Sequence, residues 1–231
     1  MEPPLPATRT DKTPAVKRRR PLWLKIVLGA ACVYLVIALL GWAWWSYRYP
    51  FGWSHSCSKI LGSSLRLYAG DHDGWLPHGQ ATPEASLSLL VKEDPSSQAL
   101  LRGKHLQQSV VDAALQRDGV LGPESCGWHY IEGLHEDDDP QIASVWDKVT
   151  GLWHNGDRRD YIMHEVLLLN GSMQFISRQK WPEFVAEQKK LLKETMASRS
   201  QGDPPLRWSD EATLGPNVNP PPTAPLTPPA K

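Results

Sequence analysis

No short catalytic motif is found in this sequence. A Gly-x-Ser-x-Gly elbow, a Walker loop and a dinucleotide fingerprint are all missing, and Gly62-Ser63-Ser64 falls within a helical stretch instead of a strand-to-helix turn. Asp71-His72-Asp73-Gly74 begins like a calcium loop, but the twelfth position from Asp71 is Thr82, which cannot supply the bidentate carboxylate. Asp71 and Asp73 therefore read as turn residues. Eight histidines are present, with His129, His135, His154 and His164 in the second half, yet none has the spacing of a zinc site. These absences point away from an enzyme and give no cofactor or metal to expect.

An excess of charge of one sign is lacking too: 25 Lys and Arg balance 25 Asp and Glu. The balance hides an uneven distribution. Residues 1 to 25 hold seven basic side chains against Glu2 and Asp11, so the rest of the chain is mildly acidic. No basic surface remains for nucleic acid beyond the N-terminal tail.

What is present is a long apolar run. Ile26 to Trp45 is "IVLGAACVYLVIALLGWAWW", twenty residues without a charge. At about 1.5 Å per residue it matches the roughly 30 Å of a hydrocarbon core. A cleaved signal would have a shorter run and a small-x-small site. This run ends in Trp42, Trp44 and Trp45, with Tyr47, Tyr49 and Trp53 following, which suits an aromatic belt at a membrane interface. Arg18, Arg19, Arg20 and Lys25 precede it and only Arg48 lies just after. The positive-inside rule then places the N-terminus in the cytoplasm and the chain beyond about Tyr49 in the periplasm or another extracytoplasmic space.

The expected organisation is a disordered basic tail at 1–21, a transmembrane helix at 22–47, a domain at 48–200 and a Pro-rich disordered tail at 201–231. Nine prolines stand between Asp203 and Lys231, a composition that predicts no packed core. Within the domain, Ile60, Leu61, Ser64, Leu65 and Tyr68 give the stripe of an amphipathic helix that stops at Gly70 to Gly74. Further helices are expected at Pro83 to Lys92 and Gln108 to Arg117, and short extended pieces at "WHYI" and "IASVW". "HEVLLLNGSMQFIS", residues 164 to 177, reads as a hairpin around a type I′ turn at Asn170-Gly171. Pro182 suits the first turn of a last helix, with Phe184, Val185, Gln188, Leu191, Leu192 and Thr195 as its stripe. The order predicts an α+β fold with an antiparallel sheet.

Cysteine is scarce. Cys32 sits in the apolar run, which leaves Cys57 and Cys126 as a candidate disulfide if the compartment is oxidising. Spacing alone does not place their Cα atoms within reach.

The combination resembles the pseudopilin-like, type II secretion G-like proteins of planctomycetes and verrucomicrobia. In that family an N-terminal membrane helix leads to a segment of the type C-x-x-N-L-x-x-L-x-x-A-x-x-x-Y-x-x-D-x-x-G-x-x-P. Tyr68, Asp71, Gly74 and Pro77 match its second half in register; Cys57 and Leu61 match its first half, with Ile60 in place of Asn and three fewer residues between Cys57 and Tyr68. "GPESCGW" around Cys126 resembles the family's later Cys-Pro region. Asp147, His154, Asn155 and Gly156, ahead of Asn170-Gly171, resemble its His-Gly turn and hairpin. Arg20-Pro21-Leu22 lacks the Gly and Glu of a prepilin processing site, so the resemblance, over residues 22 to 180, is to a divergent and uncleaved member. It implies a pilin-like domain and a structural or interaction role, as an accessory of a secretion or pilus-like assembly. The bilayer and other membrane or periplasmic proteins would be its partners, with no nucleic acid. The alternative is a membrane-tethered metal-binding module or hydrolase built from His129, His154, His164, Asp147 and the acidic run Asp137 to Asp139, which requires those side chains to converge.

Overall fold

The computed structural model describes residues 22–53 and 57–217. Arg18, Arg19 and Arg20, the rest of the expected N-terminal tail and the last fourteen residues lie outside them. The chain falls into two units that divide between Trp45 and Ser46.

Helix α1, Leu22–Arg48, has 27 residues and no buried side chain. Its Leu, Val, Ile and Trp side chains are exposed on every side, so it has no face for a soluble core. It is long and apolar enough to cross a membrane.

The second unit is α+β. Its helices before the sheet are α2 (Ser58–Asp71), α3 (Pro83–Leu87), α4 (Leu89–Glu93), α5 (Gln98–Leu101) and α6 (Gln108–Asp118). Strands β1 (Trp128–Glu132), β2 (Ala143–Asp147), β3 (Met163–Leu168) and β4 (Met173–Ser177) follow, then α7 (Trp181–Ser198), β5 (Arg207–Trp208) and α8 (Glu211–Leu214). The strands form one antiparallel sheet in the order β4-β3-β2-β1-β5.

Helices cover both faces of this sheet, and every residue of the central strand β2 is buried as a result. On one face Trp128 donates its indole N–H to the carbonyl of Leu100 in α5 (2.7 Å), and the Tyr130 hydroxyl donates to the carbonyl of Pro77 (2.8 Å). Both rings are fully buried, and each polar tip has a partner. Helix α2 lies on this face too. Gly62 lets it approach β3 closely, since a Cβ there would stand 2.9 Å from a Leu167 methyl carbon. On the other face α7 and α8 cover Ile131, Ala143 and Trp146.

Several sequence expectations need correction. In α2 the buried positions are Ser58, Leu61, Gly62, Leu65, Tyr68 and Ala69, whereas Ile60 points to solvent. The helix expected at Pro83 to Lys92 is two short ones, hinged at Ser88, whose hydroxyl accepts from the Leu121 N–H at 2.8 Å. The hairpin is present, but its turn is not type I′. Gly171 has a φ of 76° and Asn170 is not in the positive-φ region. The Gly171 N–H donates to Leu168, and the Leu168 N–H to Ser172. That pattern is a turn over Leu169-Asn170 followed by a left-handed glycine, one residue longer than the expected loop.

The segment after Asp203 also differs from expectation, because it packs. Leu206, Trp208 and Leu214 are buried, β5 pairs with β1, and Arg207 binds Glu132 under the sheet edge. Prolines 204 and 205 precede that short edge strand instead of breaking it, a position where a missing N–H is tolerated.

Candidate functional site: a charge cluster between α2 and the sheet

Alternation along β3 sends neighbouring residues to opposite faces. Glu165 points toward α2, while His164 stacks on Trp181 of α7 with ring centroids 3.7 Å apart. Asp147, at the end of β2, meets Glu165 through a third side chain. Lys104, from the loop between α5 and α6, places its ammonium 3.0 Å from Asp147 Oδ2 and 2.7 Å from Glu165 Oε2. The Ser58 hydroxyl, in the first turn of α2, donates to the other oxygen of Glu165.

The loop is held in place by backbone contact. Gly103, with a φ of 59°, lies against Gly127, and the Gly127 N–H donates to Leu101 (2.8 Å). A Cβ on Gly127 would stand 2.1 Å from the Arg102 carbonyl oxygen. This close approach carries Lys104 under the sheet.

All three charged side chains are sealed: exposures are 2% for Lys104, 2% for Asp147 and 4% for Glu165. Two polar atoms there lack a hydrogen-bond partner among the described residues, Asp147 Oδ1 and His164 Nδ1. They stand 3.5 Å apart. One ammonium thus faces two carboxylates in a site closed to water, where charge interactions are strong and an uncompensated group is costly.

Two more ion pairs brace the same sheet, one half-buried and one buried. Lys148 binds Glu84 of α3 (2.9 Å) and the Pro123 carbonyl (2.7 Å). Arg207 and the Ser86 hydroxyl both donate to Glu132, yet burial pushes the Glu132 carboxyl up more than these partners pull it down. On the α7 side His129 lies 3.7 Å from Asp210; burial lowers its pKa against the pull of Asp210. Burial likewise lowers His105, and Lys148 adds to the effect.

The residues of the metal or hydrolase alternative do not converge. Among them only His164 and Asp147 meet; His154 is exposed in the loop after β2, and Asp137 to Asp139 lie in the β1–β2 turn, where Asp138 binds Arg199. No group of three or more His, Cys, Asp or Glu side chains that could hold a metal occurs among the described residues. The enclosed cavities under α2 and α7 are about 30 Å³ and about 10 Å³, far below the size of a small-molecule site, and the larger hollows of about 570, 440 and 320 Å³, beside α6, β5 and the Asp137–Asp139 turn, are open surface clefts that none of His129, His154 or His164 lines.

The expected disulfide is also absent. Cys57 and Cys126 are both free; Cys126 is fully buried with its sulfur 3.7 Å from the Trp128 carbonyl, turned into the core. Burial pushes its thiol up to about 11.

The residues shared with the family motif serve the junction of α2 with the sheet. Leu61 and Tyr68 are buried, Tyr68 stacking on His72. Asp71 ends α2, and Asp73 and Gly74 take positive φ in the turn, where the His135 ring closes over Gly74. Pro77 receives the Tyr130 hydroxyl. Gly156 turns the loop after β2, with a φ of 82°.

Sequence reasoning missed Lys104, Ser58 and the role of Glu165. The one available signal was a carboxylate, Glu165, entering the apolar run Val166 to Leu168. Compared with protein-family models, curated proteins and solved structures, the chain matches none.

Proposed function

We propose that this chain is a single-pass membrane-anchored, pseudopilin-like structural or interaction protein, with the unit from Ser46 onward outside the cytoplasmic membrane. Its work would be to hold partners together as an accessory of a secretion or pilus-like assembly. The observation that carries the anchor is α1, apolar on every side and without one buried side chain.

A second set of contacts supports the same reading. Immediately after the apolar run, the Arg48 guanidinium binds Asp157 (2.6 Å), the Arg48 carbonyl accepts from the Arg158 N–H (2.9 Å), and Arg158 lies over the Tyr47 ring. Beside them Arg159 sits on Trp153, 3.4 Å from the ring centroid, and near Tyr161 and Phe175, all three rings part-exposed. Aromatic rings with arginines at the end of an apolar run suit the headgroup region of a bilayer. The Lys104–Asp147–Glu165 cluster and the Arg207–Glu132 pair are enclosed within the domain, which favours a structural use over turnover of a diffusing substrate.

The test is alkaline carbonate extraction of membranes carrying the full chain or a variant with Val33→Lys and Val36→Lys in the run. The native chain is expected in the membrane pellet and the variant in the supernatant. Release of the native chain would contradict an anchor.

A further inference from the structure

We propose that Lys104 and Asp147 become joined by an intramolecular amide bond, with Glu165 as the proton-transfer group. The proposal concerns the chemistry of the buried cluster and stands independently of the membrane reading.

The geometry meets the requirements of amide formation in turn. An amine must be held against the carboxyl group whose carbon it attacks, and Lys104 Nζ lies 3.0 Å from Asp147 Oδ2, the oxygen one bond from that carbon. A base must touch the amine, and Glu165 Oε2 lies 2.7 Å from Nζ. Charge developing on the carboxyl must meet a polar group, and His164 Nδ1 stands 3.5 Å from Asp147 Oδ1, neither atom having a hydrogen-bond partner among the described residues. Water must be excluded, since it would compete for the carboxyl and reverse the reaction; the three reacting side chains are sealed from solvent.

The step needs no outside reagent. The Lys104 ammonium passes one proton directly to Asp147 Oδ2, 3.0 Å away, leaving an amine and a carboxylic acid in contact with Glu165 against the nitrogen. The Nζ lone pair attacks Asp147 Cγ and forms the C–N bond. The tetrahedral centre collapses by breaking one C–O bond, and Glu165 relays a second proton from nitrogen to the departing oxygen. One water leaves, Nζ keeps one hydrogen, and nothing is oxidised or reduced. Two buried charges are replaced by a neutral amide. Lys104 is on a loop and Asp147 at the end of β2, so the bond would lock the helical layer to the sheet.

Intact mass spectrometry of the full chain extracted from membranes tests this. The expected product is lighter than the unmodified chain by about 18 Da, one water, and proteolysis yields a branched peptide holding Lys104 and Asp147. Asp147→Asn is expected to lose about 17 Da instead, because ammonia departs, and Glu165→Gln to keep the full mass. The wild-type mass decides the matter even if a variant fails to fold. A wild-type chain of unmodified mass, giving separate linear Lys104 and Asp147 peptides, would overturn the proposal.

Discussion

The Lys104 ammonium lies 2.7 Å from the Glu165 carboxylate in a part of the domain that solvent does not reach. Among the described residues Lys104 is the one lysine or arginine set against both this carboxylate and Asp147. Lys104→Met removes the partner of both, whether joined by charge or by an amide. It is expected to cost about 3–5 kcal/mol, the penalty for breaking a buried ion pair from one side. Thermal unfolding of the full chain in mild detergent, followed by tryptophan fluorescence, measures it. Adding Asp147→Leu and Glu165→Leu to Lys104→Met removes the stranded charges and should recover part of the loss; a single variant as stable as the native chain would contradict the arrangement.

Gly127→Ala should destabilise without touching any charge. Its Cβ meets the Arg102 carbonyl oxygen, a backbone atom that cannot rotate away. Overpacking of this kind costs about 1–3 kcal/mol or more. The same unfolding measurement should show a lower midpoint, whereas Gly119→Ala, with open space around its Cβ but a φ of 71°, reports backbone strain alone and should cost less.

Acid should weaken the domain through two histidines. Burial holds His105 and His129 below the ordinary 6.5, so the folded state binds fewer protons than the unfolded state in the window beneath that value. Their stabilising contribution is complete above pH 6.5 and is lost as pH falls through the folded pKa values. Glu132 runs the other way. Its folded pKa lies above 4.5, so its contribution is present below that pH and is lost as pH rises through the folded value. The unfolding midpoint is expected to drop between pH 7.5 and 5.5, and His129→Gln to flatten the drop. An unchanged slope in that variant would remove His129 from the explanation.

Thiol reactivity should separate the two cysteines of the domain. Cys126 is buried and its thiol is held up to about 11, so a maleimide should reach it only after unfolding, whereas the half-buried Cys57 should react in the folded protein. Tagging counted by mass, before and after denaturation, checks this. A mass gain of about 2 Da on reduction, with neither cysteine taking up maleimide before or after denaturation, would instead show a disulfide.

Much of the fold was legible where local pattern and tertiary role agree. Leu61, Leu65 and Tyr68 mark α2 because its buried face is also its apolar face, and the alternation around residues 164–177 marks a hairpin because the pleat imposes it. Ile60 misled because apolar character is not burial; it borders the stripe but faces outward. The turn type was missed because Asn-Gly favours type I′, whereas the hydrogen bonds close one residue earlier. The segment 203–217 was misread since proline content averages over Leu206, Trp208 and Leu214, three apolar residues enough to dock a strap. Lys104 had no local signal at all: a buried lysine is explained by partners on strands far along the chain, and only the folded structure brings Asp147 and Glu165 to it.

The proposed function rests on α1 anchoring the unit from Ser46 onward outside the membrane. The most direct measurement is protease digestion of sealed right-side-out vesicles carrying the full chain with a different epitope at each end. The account expects loss of the C-terminal epitope and of the domain, with the N-terminal epitope protected until detergent is added. Protection of the C-terminal epitope with loss of the N-terminal one, or digestion of both in intact vesicles, would contradict it.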